Sequence, residues 1–404
     1  ARHLAWHSTG TRPAPDRLPV GLLARRLDWL PDQLPDWRET PFLESVLQLL
    51  GGFMRTGISL YFASGYEANA EVVAKAQAAG CHYAFTSLQI PEEEGIDYRT
   101  EARRLLELCK KAEINLIADV SPATLSKLGV QKFDELAELG ITYVRLDFGF
   151  DAAETVELSR KFHVVFNAST ITKDDISAWR AAGADFTRFA ACHNYYPKSY
   201  TGLSLDRVTQ INAHLSALGF QIFSFVPGEV FRGPLYEGLP TVEEHRGLSG
   251  DALIQAMLSL YDADSDVVLI GDPDVTEATW KRIGQLERNC IELKAELKPD
   301  FEYLYDRLQT DRPDSSSYII RSQESRLWKD APVYDAKPST WETVATGAIL
   351  VSSKAYGRYA GELSIARGLL ELDARDNVAG NICSEDQAFL PYIHSGRGFR
   401  FIRR

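Results

Sequence analysis

The sequence predicts an α/β protein, a closed (β/α)8 TIM barrel followed by a small, mainly β domain. Three observations carry this. Eight strand-like apolar segments recur between Gly57 and Asp272, each followed by a stretch of helical character. Most end in polar residues that the next helix does not need as caps. Beyond Pro299 the pattern changes to short alternating pieces separated by Gly, Asp, Asn and Ser, with no further long helix. The loops at the carboxyl ends of barrel strands build the active site, so topology gathers the polar strand ends. An enzyme is expected.

The strands read GISLYF, YAFTSL, INLIADV, ITYVRLDFG, HVVFNAS, DFTRFAACHNYY, FQIFSFVPGE and DVVLIGD. Residues 1–53 stand before the first of them and are expected to be an extension of unknown role. They are rich in Arg and Pro, but Asp16, Asp28, Asp32, Asp36, Glu39 and Glu44 argue against a transit peptide. The barrel is expected over 54–298. Its eighth helix is read from VTEATWKRIGQLERNCIELKAEL, stopped by Lys298-Pro299-Asp300. Residues 299–404 then form the β domain.

A chain of 404 residues accommodates one barrel of about 250 residues and a smaller domain. Hydrophobic content of 45%, charged content of 25% and a mean hydropathy of −0.20 describe an ordinary soluble composition. No apolar run approaches the ~20 residues of a membrane span, and no signal peptide or lipidated Cys is seen near the start. The five cysteines are scattered, without a CxxC pair, which disfavours a disulfide framework or a zinc site and fits a reducing cytoplasm. No metal or cofactor is expected. The net charge of −12 disfavours nucleic acid as a partner, so an anionic ligand needs a local cluster of Arg, Lys or backbone N–H groups. A homo-oligomer is compatible with all of this.

Candidate site residues emerge by asking which polar strand ends the helices already explain. After the third strand Ser121 and Pro122 suit a helix start, which leaves Asp119 over; it shares a face with Ile117 and Asn115 by the period of 2 and points up the barrel axis. Tyr143, Arg145 and Asp147 share a face of the fourth strand, with Asp151 available as the cap. The alternative there is a structural ion pair of Arg145 inside the barrel. Thr172 and Asp175 resemble a capping box, which leaves Asn167 to bind substrate. Asp272, before Pro273, reads as a cap or loop residue. In HNYYPKSYTGL, His193, Asn194, Tyr195 and Tyr196 offer aromatic faces and hydrogen-bonding groups suited to a sugar ring. PGEVFRGPLYEGLPTVEEHR is too long for a simple turn and has the character of a binding loop; its Arg232 and Arg246, with Lys198, are candidates for holding an anion. Glu92, in TSLQIPEEEG, is either a ligand residue or part of a solvated helix start. No strand end carries the Lys that a Schiff-base aldolase requires.

The segments FTSLQIPEEE, ADVSP, VRLDFG, FNAST, HNYYP with TGL, and VPGE with FRGPLYEGLPT and EEHR resemble the bacterial 6-phospho-N-acetylmuramidase (MupG) family. RSQESR, YGRYAGELSI and DNVAGNI continue the resemblance to the end of the chain. It implies a TIM barrel joined to a cyclophilin-like β domain, and a glycosidase that cleaves the β-1,4 bond of N-acetylmuramic acid 6-phosphate linked to N-acetylglucosamine in peptidoglycan recycling. Most glycosidases use two carboxyl groups. Asp119 and Asp147 are the expected pair, with Glu229 as a competing acid, unless the substrate's own acetamido group attacks. Arg145, Lys198, Arg232 and Arg246, joined by Arg321 and Arg326 of the second domain, are the counter-charges for the phosphate and lactyl carboxylate. YGRYAGE is expected to reach over the barrel mouth. Another phosphosugar enzyme and a non-catalytic sugar-binding protein are the alternatives.

Overall fold

The computed structural model describes residues 54–404 apart from 88–97, 121–123, 126–127, 147–149 and 338–341. All eight expected strands form: β1 (Arg55–Leu60), β2 (Tyr83–Ser87), β3 (Asn115–Val120), β4 (Ile141–Leu146), β5 (His163–Asn167), β6 (Phe189–Cys192), β7 (Gln221–Val226) and β8 (Val267–Ile270). Each pairs in parallel with the next, and β8 returns to β1 through Arg55↔Val267, closing the barrel. Helices α1 (Tyr66–Ala79), α2 (Tyr98–Lys111), α3 (Asp134–Glu138), α4 (Ala152–Ser159), α5 (Lys173–Ala181), α6 (Leu205–Leu218), α7 (Gly250–Asp262) and α8 (Glu277–Glu287) alternate with them. Asp151 and Thr172 start α4 and α5 with full capping boxes, so these polar residues are spent on helix ends.

Inward-facing side chains alternate along each strand and fill the barrel in layers. Tyr83 and Tyr143 meet Phe223 edge-on low in the barrel, with ring centroids 5.8 and 5.6 Å from it. One layer higher Phe85 and Tyr195 meet Phe225 in the same way, at 5.4 and 5.2 Å. The axis is therefore plugged by rings, and the upper layer is the floor of the mouth. Gly57 makes room below. A Cβ there would stand 2.4 Å from Leu269 and 2.8 Å from the Tyr83 carbonyl, too close for any other residue without a shift of both strands.

The segment IELKAEL, read from sequence as the end of the eighth helix, is instead strand β9 (Ile291–Leu297). α8 stops at Glu287, and Asn289 takes left-handed backbone, φ 50°, to turn the chain. β9 lies inside a seven-stranded sheet with β10 (Gln309–Thr310), β11 (Ile319–Arg321), β13 (Ala348–Ser352), β14 (Leu363–Ala366), β16 (Asp376–Ile382) and β17 (Gly398–Arg403); β12 (Thr343–Val344) and β15 (Leu370–Glu371) pair separately. The sheet's edge strands, β10 and β11, are joined by an antiparallel bridge between Asp311 and Ser322 and by hydrogen bonds from Arg312 N to Arg321 O and from Gln323 N to Thr310 O. That closure makes it a second, smaller barrel.

This barrel is fastened to the outside of α7 and α8. Arg397 and His394 reach Asp262 at the end of α7, at 2.5 and 3.1 Å, and Arg282 of α8 bonds the Glu292 carbonyl and lies over the Phe389 ring. Helix ends such as Asp262 lead into the next strand, so the contact lies toward the barrel face opposite the mouth. All five cysteines are buried and unpaired. Among the described residues no helix is long and apolar enough to cross a membrane.

Candidate active site

At the carboxyl ends of the strands one guanidinium organises the mouth. Register places Asp119 of β3 beside Arg145 of β4, and the alternation that buries Ile117 and Tyr143 turns both inward. Arg145 Nη1 donates to Asp119 Oδ1 at 2.9 Å, and Nη2 donates to Oδ1 of Asn194, just after β6. The two charged side chains keep 10% and 17% exposure, so the pair is largely dehydrated but open to the mouth. The guanidinium carbon lies 6.0 Å above the Phe85 ring of the floor. Charge, geometry and an apolar platform thus coincide at one point.

Tyr61, immediately after β1, completes the centre. It is buried, donates to the Gly271 carbonyl at 2.5 Å, and carries the Arg232 guanidinium 4.2 Å above its ring. Burial raises the hydroxyl pKa well above its usual value, with Tyr195 adding to the effect and Arg232 opposing it. Tyr195 is likewise raised, chiefly by burial. Both remain protonated donors at neutral pH. Tyr61 is not among the residues expected from the sequence, although the alternation of Gly57, Ser59 and Tyr61 along the first strand is a signal for it.

The long loop carrying Arg232 is held by Asp272. One oxygen, Oδ2, accepts from Gly228 N at 2.8 Å and Leu239 N at 2.9 Å; Oδ1 accepts from Arg232 N at 3.0 Å. Burial raises this carboxyl's pKa and the three N–H groups oppose the rise. The loop role read from sequence is the one observed. Tyr196 adds a bond from its N–H to the Pro240 carbonyl, and the exposed Lys198 stands at the rim.

Several other candidates are used in the framework. Glu229 accepts from Gly250 N at 2.9 Å and Thr276 N at 2.7 Å, which braces the starts of α7 and α8; Ser249, the N-cap of α7, makes no side-chain cap of its own. Burial works against the charge, yet these N–H groups and the hydroxyls of Thr279 and Thr276 hold the Glu229 carboxyl below its usual range. A carboxyl held ionised in this way is poorly suited to act as the acid. Arg246 is equally committed. Its Nε and Nη2 grip Glu243 at 2.7 and 2.8 Å, while Nη1 and Nη2 bond the carbonyls of Gly238 and Tyr196 at 3.0 and 2.8 Å. It clamps two loops together and offers little to an anion.

His193 is fully buried, against the expectation of a substrate contact. Its Nε2 lies 2.7 Å from Asn212 Oδ1, and the Asn212 amide donates to the Ala263 carbonyl, so the histidine holds α6 against the wall. Burial lowers its pKa. Asn167 closes a local turn, accepting from Ser169 N at 3.0 Å, and lines a cavity of about 500 Å³ with Phe166 and Trp179 beside α4 and α5. Arg321 bonds Asp314, and Arg326 pairs with Glu362 at 3.2 Å, both inside the second domain. Tyr356 bonds Asp376 and Gly361 N bonds Ser352 O, so YGRYAGE is likewise engaged with its own domain. Asp147 and Glu92 lie outside the described residues.

A family model described as the N-terminal part of 6-phospho-N-acetylmuramidase matches residues 56–285, and its C-terminal counterpart matches 291–402. The chain belongs to the 6-phospho-N-acetylmuramidase family. Among solved structures, a conserved protein of unknown function from Enterococcus faecalis is 30% identical with a TM-score of 0.64, over 87% of this chain and 96% of that one. An uncharacterized B. cereus protein is similar in fold, with a TM-score of 0.63 and 24% identity over 86% of this chain and 99% of that one. No curated protein matches significantly. Membership makes the chain a glycoside hydrolase of peptidoglycan recycling.

Proposed function

We propose that the barrel mouth binds a disaccharide of N-acetylmuramic acid 6-phosphate and N-acetylglucosamine in the cytoplasm and hydrolyses its β-1,4 bond, with Asp119 and Asp147 as the working carboxylates. The observation that supports this most is the Arg145 guanidinium, fixed between Asp119 and Asn194 above a floor of aromatic rings. A sugar ring packs on such a floor, and an anionic substituent finds a cation already oriented. Asp147, two residues after Arg145 in the sequence, supplies the second carboxylate that this chemistry requires. Arg232 over Tyr61 is a second cation for the phosphate or the lactyl carboxylate. Lys198 is a third, at the rim.

In this reading one carboxylate assists the leaving oxygen and the other attacks, activates water, or orients the substrate's acetamido group. Asp119, tied to a guanidinium, takes the ionised role. Glu229, Arg246 and His193 hold the loops and helices that shape the mouth. We assign no catalytic part to the second domain, which is fastened to α7 and α8.

The test is hydrolysis of a chromogenic β-N-acetylmuramide with and without a 6-phosphate by the protein and its Asp119→Asn and Asp147→Asn variants. Turnover of the phosphorylated substrate alone, lost in both variants while they still bind it, is the expected result. Binding without turnover in the unmodified protein would leave a sugar-phosphate binder and overturn the proposal.

A further inference from the structure

Two tyrosines at the rim stand largely in solvent, although the Tyr236 ring rests against Gly233. Tyr200 is 93% exposed and Tyr236 is 65% exposed, yet both hold left-handed backbone, with φ of 67° and 56°. A bulky residue in that region is strained, and such positions concentrate where a site requires them.

The frame beneath them is rigid. Ser199 and Glu237, the sequence neighbours of the two tyrosines, are bonded to each other, the Ser199 hydroxyl donating to Oε2 at 2.6 Å and its N–H at 3.1 Å. Glu243 accepts from Tyr200 N at 2.7 Å and Gly202 N at 2.8 Å, and is itself held by Arg246. Tyr236 N also bonds the carbonyl of Arg232, whose guanidinium covers Tyr61 at the centre of the mouth. The rings are therefore carried by adjoining points of the loops after β6 and β7, continuous with the candidate active site.

Resting on the glycosidase reading, we infer that Tyr200 and Tyr236 form an aromatic platform for the leaving-group sugar. The charge distribution selects this half of the substrate. N-acetylmuramic acid 6-phosphate carries two anionic groups and belongs with Arg145 and Arg232. The platform is flanked by Glu237, which disfavours an anion, and by Glu243, whose charge Arg246 already balances, so it suits an uncharged N-acetylhexosamine, whose C–H face stacks on a tyrosine ring.

The experiment compares two substrates of the intact protein and of a Tyr200→Asn/Tyr236→Asn double variant. Asn accepts left-handed backbone, so the loops keep their shape without the rings. One substrate is the disaccharide; the other is the glycosyl fluoride of N-acetylmuramic acid 6-phosphate, which has no second ring. The double variant is expected to lose about tenfold or more in kcat/KM on the disaccharide, mainly through KM, and to stay within about twofold on the fluoride. Equal losses on both substrates, or none on either, overturn the inference. Absence of turnover of both by the unmodified protein sinks the glycosidase reading instead. Saturation-transfer NMR with methyl β-N-acetylglucosaminide then decides the platform separately: transfer that disappears in the double variant supports it, and no transfer to begin with refutes it.

Discussion

Replacing Asp272 with Asn tests whether one buried carboxylate sets the shape of the mouth. The side chain is fully buried and receives three backbone N–H groups, from Gly228, Arg232 and Leu239. Asn matches its volume but offers a single oxygen. Keeping that oxygen where Oδ2 now accepts preserves the bonds from Gly228 and Leu239 and turns an NH2 group toward Arg232 N–H. A hydrogen bond to a charged group contributes about 1.5–3 kcal/mol, and a neutral one about 1. Losing one charged bond and weakening two therefore costs about 4 kcal/mol. Removing a charge that burial disfavours, as the raised pKa shows, returns part of this. The net expectation is about 2 kcal/mol, felt first in the loop. Hydrogen exchange read by mass spectrometry across 228–239 should accelerate by about thirtyfold, since each 1.4 kcal/mol is a factor of ten. kcat/KM should fall with it, because Arg232 leaves Tyr61. Unchanged exchange across 228–239 in a folded Asp272→Asn protein would refute the reasoning, whatever the activity does.

Asp119→Asn is expected to reduce kcat by at least about a hundredfold, and to lower Tm because it exchanges a charge-assisted bond to Arg145 for a neutral one in a largely dehydrated setting; steady-state kinetics and a melt on the same sample check both. Glu229→Gln should lose stability without the kinetic defect, keeping kcat within a few-fold while one of its two helix-start bonds is lost at about 1–2 kcal/mol, read by the same kinetics and melt. Burial raises the Glu287 carboxyl from its usual 4.5 to about 7, with Thr56 N and Arg55 opposing the rise. A carboxyl raised on folding contributes stability that is complete below its unfolded pKa and lost as pH climbs through 7. Two and a half units correspond to about 3 kcal/mol. Glu287→Gln should therefore gain stability at pH 8 and little at pH 4.5, in urea titrations at the two pH values; an equal gain at both would contradict it.

The parts of this fold that could be read in advance were those where periodicity and burial act on the same residues. Asp119 is the example. Its place two residues after Ile117 and four after Asn115 puts it inside the barrel whatever its partners are. IELKAEL misled for a chemical reason. Glu, Leu, Lys and Ala all favour helix, but the strict alternation of Ile291, Leu293 and Ala295, each buried, is the strand signal, and pairing with β16 and β17 overrides propensity. Glu229 and Arg246 could not be assigned from sequence, because their partners are backbone groups rather than side chains. Gly250 N and Thr276 N lie 21 and 47 residues away from Glu229 along the chain, and no residue type there announces an N–H in need of a carboxylate. His193 failed similarly, since only the fold brings Asn212 against it.

The position of β9 has a consequence for how the chain is made. It leaves the ribosome directly behind the last helix of the large barrel, yet its parallel neighbour β17 emerges far later, Glu292 and Arg400 being 108 residues apart. Until β17 arrives, the ladder of β9 on that side is an open edge, liable to pair with another nascent chain. Synthesis at about 5–20 residues per second keeps it open for roughly 5–20 seconds. The order of synthesis thus exposes during folding an edge that the finished barrel does not have.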